Sequence, residues 1–180
     1  MNIAELDTTR VEPLLSFFLE IPDEDLTFVK EDVTDLDTMR GWAGRPGRRW
    51  VAFNGASIIG FAAVLPFTGL SDHVAELRLV VHPGHRRHGV GRALARHALS
   101  EAVRAGRRKL IVELGADQRH TIAMFSSLGF IGEALLRDHI RDRSGKVHDL
   151  VMLAHFVDTT WSMMDTVGLV DELGTETTPS

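Results

Sequence analysis

A chain of 180 residues, 44% hydrophobic and 25% charged, is long enough to bury one domain core and too apolar to be a disordered polymer. Its net charge of −5 gives no electrostatic reason to expect nucleic acid, and no stretch reaches the roughly 18 apolar residues of a membrane span, so neither partner is expected. The absence of cysteine excludes a disulfide framework, a thiolate nucleophile and zinc–thiolate ligation, and fits a reducing compartment.

The start, MNIAELDTTR, carries acids where a secretory signal has basic and then apolar residues, so a cytoplasmic protein is expected. Thr9–Leu19 has apolar residues at helical spacing behind a threonine cap, and Asp23–Val33 begins with acids that favour a helix N-terminus. Arg49–Asn54 and Ser57–Leu65 read as a hairpin around Asn54-Gly55. Val74–His82 is the next strand, closed by Pro83-Gly84, and a long helix over Gly89–Ala105 ends at Gly106. Then follow a strand Lys109–Leu114, a short helix Thr121–Leu128 and two strands, Phe130–Asp142 and Val147–Phe156, joined by Ser144-Gly145.

A strand–helix–strand unit inside a meander implies one parallel pairing, between Val74–His82 and Lys109–Leu114, made by a right-handed crossover. The expected class is mixed α/β, a mostly antiparallel sheet with one parallel pair, flanked by helices. Residues 1–157 should form the domain. Asp158–Leu173 reads as a terminal helix docked on that domain or on a second subunit, which would make a homodimer. Residues 174–180 read as a disordered tail.

The segment Arg86-Arg87-His88-Gly89-Val90-Gly91-Arg92 lies between a strand and a helix. Its glycines allow a tight turn and close approach of a ligand to the backbone. The helix start presents unpaired N–H groups and the positive end of its dipole, which suits a phosphate or pyrophosphate. Three arginines crowd the same turn and could add charge-assisted contacts. Val90 after Gly89 excludes a P-loop, which needs Lys-Ser/Thr there. A dinucleotide fingerprint fails at Leu94, where its third glycine would stand; Glu113 could supply only its acid.

Arg86-x-x-Gly89-x-Gly91 resembles the Arg/Gln-x-x-Gly-x-Gly/Ala motif of the GCN5-related N-acetyltransferases, the GNAT superfamily. Two further blocks are similar to that family: Glu76-Leu77-x-Leu79-x-Val81-x-Pro83 to its fourth strand, and Ala123-Met124-Phe125-x-x-Leu128-Gly129-Phe130 to its late helix and following strand. With the element order, the resemblance covers roughly residues 3–156. It implies transfer of an acyl group, by default acetyl, from acetyl-coenzyme A or another acyl-coenzyme A to an amine of a small molecule or a protein lysine, without a metal. It places the pyrophosphate on the amides of Arg87, His88, Gly89, Val90, Gly91 and Arg92. The pantetheine arm would lie between splayed strands against the backbone of Leu79, Val80 and Val81.

Within that reading Glu76 is the candidate base, since an amine with a pKa of about 10.4 must lose a proton before it attacks. A strand carboxylate paired with Arg78 is the alternative. The family's usual acid, a tyrosine, is replaced by Phe125, and its asparagine position by Gln118. The chain has no tyrosine at all, which leaves water or Ser126 to assist the leaving thiolate. A non-catalytic acyl-coenzyme A sensor and a Rossmann-type dinucleotide protein are therefore rival readings. His82, His85 and His88 straddle a Pro-Gly turn rather than one helical face, so they are not expected to converge on a metal. His139 and His148 lie where the family lines its acceptor pocket, as acid or base or as ordinary surface residues. The acidic cluster Asp23, Glu24, Asp25, Glu31, Asp32, Asp35 and Asp37 would favour a cationic acceptor or simply form solvated helix faces.

Overall fold

Seven strands form one sheet: β1 (Asn2–Glu5), β2 (Arg48–Asn54), β3 (Ser57–Pro66), β4 (Val74–Val81), β5 (Lys109–Gly115), β6 (Ile131–Arg141) and β7 (Val147–Phe156). Their order across the sheet is β1-β2-β3-β4-β5-β7-β6, antiparallel throughout except for β4 and β5, which pair in parallel as expected. The structure is a computed structural model that describes residues 1–157. The terminal helix and tail expected over 158–180 lie outside the described residues.

One face of the sheet is covered by α4 (Val90–Arg104) and α5 (Arg119–Ser126), the other by α1 (Val11–Leu19), α2 (Asp23–Leu26) and α3 (Leu36–Arg40). Alternation along β3 feeds both layers: Ala62 and Val64 join Trp50, Leu94 and Leu99 on the α4 side, whereas Phe61 and Ala63 join Phe18, Met39 and Trp42 on the α1 side. A strand buried on both faces reads as a continuous apolar run, which is what IIGFAAV is. In α4 the buried residues Val90, Leu94, Ala95, Ala98, Leu99 and Ala102 make one stripe. Fully buried leucines such as Leu94 and Leu99 each contribute about 2 kcal/mol. The helix lies so close to β3 that a Cβ on Gly60 would come within 2.7 Å of Leu94 Cδ1. It closes as predicted on Gly106 (φ +76), whose N–H donates to Val103 O at 2.9 Å while Arg107 N donates to Ala102 O at 3.0 Å.

The N-terminal third departs from the sequence expectation. Strand β1 was not foreseen: four residues with exposed ends give almost no alternation, and pairing with β2 is what makes them a strand. The first cap is Asp7, whose carboxylate accepts from Thr9 N at 2.9 Å; it opens a 3-10 turn that leads into α1. The continuous helix expected over Asp23–Val33 does not form. It stops after the single turn of α2, continues as a 3-10 turn over Thr27–Val29, and ends at Lys30, which adopts a left-handed conformation (φ 63°). Leu26, Val29 and Val33 still reach the core, so the helical spacing is real. Tertiary contacts of Lys30 and Glu31, described below, accompany the break. Helix α3 was also missed, although Asp35 caps it by accepting from Thr38 N at 2.9 Å.

Candidate active site

The parallel pair is short. β4 and β5 are in register only at Val74–Lys109, Ala75–Leu110 and Glu76–Ile111. Beyond that rung β4 stays paired with β3 as far as Val81, and β5 with β7 as far as Gly115, so the two strands part. Between them opens a cleft of about 740 Å³, walled by Leu77–Val81 on one side and Val112–Leu114 on the other, with Gly89, Gly91 and Arg92 at its wide end.

Main-chain direction alternates along a strand. His82 N donates to Ile59 O at 3.0 Å, which turns the peptide groups of Val80 and Arg78 toward β3 and those of Leu77, Leu79 and Val81 toward the gap. Of the three strand positions expected to meet a ligand backbone, Leu79 and Val81 therefore face the cleft. Val80 has its main-chain groups on the β3 side, and its buried side chain joins the α1 layer.

At the wide end Gly89 is the N-cap of α4 with φ 82°, and no side chain caps the helix. A Cβ at Gly89 would meet nothing within 4 Å, so the glycine serves the left-handed turn and leaves open space before the first-turn amides of Val90, Gly91 and Arg92. A Cβ at Gly91 would touch Met124 Sδ and Val81 Cγ2 at 3.5 Å, ordinary packing distance. The arginines are already oriented. Arg86 donates to Asp25 Oδ2 at 2.7 Å and to Val81 O at 3.2 Å, and Arg92 donates to Ser127 Oγ at 2.7 Å. Arg87 is exposed, at a positive φ of 63°, beside the exposed His88.

The narrow end holds a charge network. Residues paired across a parallel rung project to the same face, so Glu76 and Glu113, two positions beyond Ile111, share a face. Lys30 joins them: its ammonium lies 3.1 Å from Glu76 Oε1 and is ion-paired with Glu113 Oε2. Arg78 grips Glu76 with two bonds, at 3.1 and 3.0 Å, and also binds Glu31, which accepts from Trp42 Nε1 at 2.6 Å. Burial alone would raise the pKa of Glu76. The hydrogen bonds and charge of Arg78, with Lys30, outweigh it and hold the carboxyl below its usual range. Glu76 is thus the buried partner of Arg78 on the last paired rung, whereas Glu113 lines the cleft itself. Glu113, which sequence reasoning considered only as a dinucleotide acid, has Lys30 as its ion-pair partner; the parallel register is the signal that brings it opposite Glu76.

Other candidates separate from the cleft. Phe125 is fully buried, its ring 5.1 Å from that of Phe130, and Ser126 is exposed at the end of α5. Gln118 does line the cleft, at the N-cap of α5. His148 Nε2 lies 2.7 Å from Asp142 Oδ2; hydrogen bonds from Ser144 and then from His148 hold that carboxyl well below its ordinary value. His139 is exposed on β6. His82 Nδ1 accepts from Gly84 N at 3.1 Å, and among the described residues no cluster of three or more His, Asp or Glu is placed to hold a metal ion. Most of the acidic cluster is engaged: Asp23 with Arg143, Asp25 with Arg86, Glu31 with Arg78, and Asp32 and Asp35 with Thr34 and Thr38.

Comparison with known proteins gives this geometry a context. Curated relatives include the [ribosomal protein bS18]-alanine N-acetyltransferase of Escherichia coli (strain K12), 27% identical over 111 residues, which are 62% of this chain and 75% of that protein. N-acetyltransferase family 8 member 3 of Rattus norvegicus is 36% identical over 84 residues, 45% of this chain and 37% of that protein. Among solved structures, the ribosomal-protein-alanine N-acetyltransferase from Brucella melitensis superposes with a TM-score of 0.76 at 24% identity, covering 87% of this chain and 99% of that one. The yncA protein of Salmonella typhimurium, solved with its cofactor acetyl-CoA, gives 0.73 at 18% identity, covering 87% and 94%. These likenesses establish the fold. The description of the acetyltransferase (GNAT) family matches residues 15–130, a span that includes both walls of the cleft and the start of α4, and the chain belongs to that family.

Proposed function

We propose that this chain transfers an acetyl group from acetyl-coenzyme A to a primary amine of a small molecule or a protein. The observation that carries the reading is the early parting of β4 from β5, with the uncapped start of α4 at the wide end of the resulting cleft. The residues present fit the ligand. The amides of Val90, Gly91 and Arg92 suit a pyrophosphate, Gly89 leaves room for it, and the outward peptide groups of Leu79 and Val81 suit the amides of the pantetheine arm. Bound acetyl-coenzyme A would supply an activated acyl carbon in its thioester. With the phosphates at α4, an arm lying along β4 leads toward the narrow end, where Glu76 and Glu113 stand.

Both carboxylates are already paired with Lys30, and one of them must take a proton from the amine before attack. Glu113 suits that step better, because Arg78 grips Glu76 with two bonds and favours its ionised form. The alanine N-acetyltransferases among the relatives support an amine acceptor. A second reading, a coenzyme A-binding sensor without turnover, is favoured by one observation: Phe125, at the position of the usual acid, is buried in an aromatic pair and cannot protonate sulfur.

Two measurements test the reading. Coenzyme A, but not NAD, should raise the melting temperature, and acetyl-coenzyme A with a panel of amines should release thiol. Stabilisation without thiol release selects the sensor; stabilisation by NAD alone overturns both readings.

A further inference from the structure

We propose that Lys30 is a self-acetylation site: its side-chain nitrogen is held where an acceptor amine would be, between Glu76 and Glu113 at the narrow end of the cleft. The inference rests on the reading of that cleft as the acetyl-coenzyme A site. Two independent observations carry it. The first is the position of the ammonium, ion-paired to Glu113, which lines the cleft, and to Glu76 on the last paired rung just before the strands part, with the side chain about one third exposed. The second is the backbone. Lys30 takes a left-handed conformation that non-glycine residues adopt at a cost of order 1–3 kcal/mol, and this turn ends the helical segment at the residue whose side chain meets Glu113 at the edge of the cleft. Strain held at a residue whose side chain reaches a candidate site is a pointer to function.

Composition sharpens the case. The chain has three lysines, Lys30, Lys109 and Lys146, among its 20 basic residues; the other 17 are arginines. Arginine stays protonated and is no acyl acceptor. Lys109 begins β5 and pairs with Glu133, and Lys146 lies in the turn between β6 and β7. Neither has an ion pair with Glu76 or Glu113 among the described residues, although Lys109 stands only two residues before Ile111 on the same ladder, so they serve as internal controls.

The step balances without a further reactant. Glu113 takes one proton from the Lys30 ammonium, and the freed lone pair forms a new N–C bond to the acyl carbon. The C–S bond breaks, the remaining excess proton on nitrogen goes to the departing sulfur, and the products are N-acetyl-Lys30 and coenzyme A thiol. The proton on Glu113 passes to water.

The test uses the full chain with acetyl-coenzyme A and no added amine, followed by intact mass and peptide mapping, with coenzyme A binding measured separately by calorimetry. One acetyl group should appear on Lys30 ahead of Lys109 and Lys146, at a rate per molecule unchanged by dilution. Lys30→Arg should remove that adduct, and Glu113→Gln should slow it roughly a hundredfold, the low end of what a positioned base contributes. Coenzyme A binding with Lys30 unmodified, or with all three lysines modified alike, overturns self-acetylation and leaves the cleft reading intact. No binding at all overturns the cleft reading, and this proposal with it.

Discussion

Glu76→Gln separates a structural from a chemical role for the β4 carboxylate. In the folded chain Glu76 is 7% exposed and receives two bonds from Arg78 and one from Lys30. Removing one member of a buried ion pair costs about 3–5 kcal/mol. Here glutamine retains an acceptor oxygen, Arg78 keeps Glu31 and Lys30 keeps Glu113, so the loss expected near neutral pH is about 2 kcal/mol. The pH dependence has a definite sign. Because the folded carboxyl is held below its ordinary range, its contribution is complete above the unfolded value of about 4.3 and disappears as pH falls through the lower folded value. Urea denaturation of both proteins, from neutral pH down to the lowest pH at which both stay folded, should show a gap that narrows below about pH 4.3. A gap that stays constant across this range would refute the claim that Glu76 is ionised and stabilised by Arg78 and Lys30.

Glu113→Gln should lower turnover with amines more than Glu76→Gln does while leaving coenzyme A affinity unchanged; the reverse ranking in kcat would return the base to Glu76. Gly89→Glu should abolish coenzyme A binding in calorimetry, because its carboxylate would stand before the uncapped amides of α4 on a backbone with φ 82°. Retained affinity would place the anion site elsewhere. Gly60→Ala should cost about 1–3 kcal/mol in chemical denaturation, since its Cβ would meet Leu94 Cδ1 at 2.7 Å and Val90 Cγ1 at 3.1 Å in a closely packed layer. An unchanged midpoint would show that α4 can move off the sheet freely.

What could be read in the sequence was whatever chemistry is local. Arg86-x-x-Gly89-x-Gly91 announces an anion-binding helix start because the turn, the amides and the arginines all lie within a few residues. The hairpin at Asn54-Gly55, the stripe of α4 and its glycine stop are likewise short-range signals. Lys30 could not be found that way. Its segment keeps helical spacing at Leu26, Val29 and Val33, and the ion pairs of Lys30 at the break are with carboxylates more than 45 residues away in sequence. Glu113 was hidden for a related reason: only the parallel register with β4 sets it beside Glu76. The arginines show the converse. Their abundance near the turn was visible, but the engagement of Arg86 by Asp25 and of Arg92 by Ser127 is a tertiary fact.

The three rungs between β4 and β5 also shape how the molecule opens. Among the described residues they are all the backbone pairing between the two halves of the sheet, β1–β4 and β5–β7, which a shared core and the Lys30 bridge also join. Amides that face the gap, at Leu79 and Val81, should exchange with solvent far faster than their neighbours Arg78 and Val80, whose N–H groups lie on the β3 side. A ligand backbone lying in the gap would protect those fast amides and stitch the halves into one cooperative unit, adding about 2.7 kcal/mol at a hundredfold excess over its Kd. The small molecule would then be a missing strand that prolongs a ladder of three residue pairs down the length of the gap.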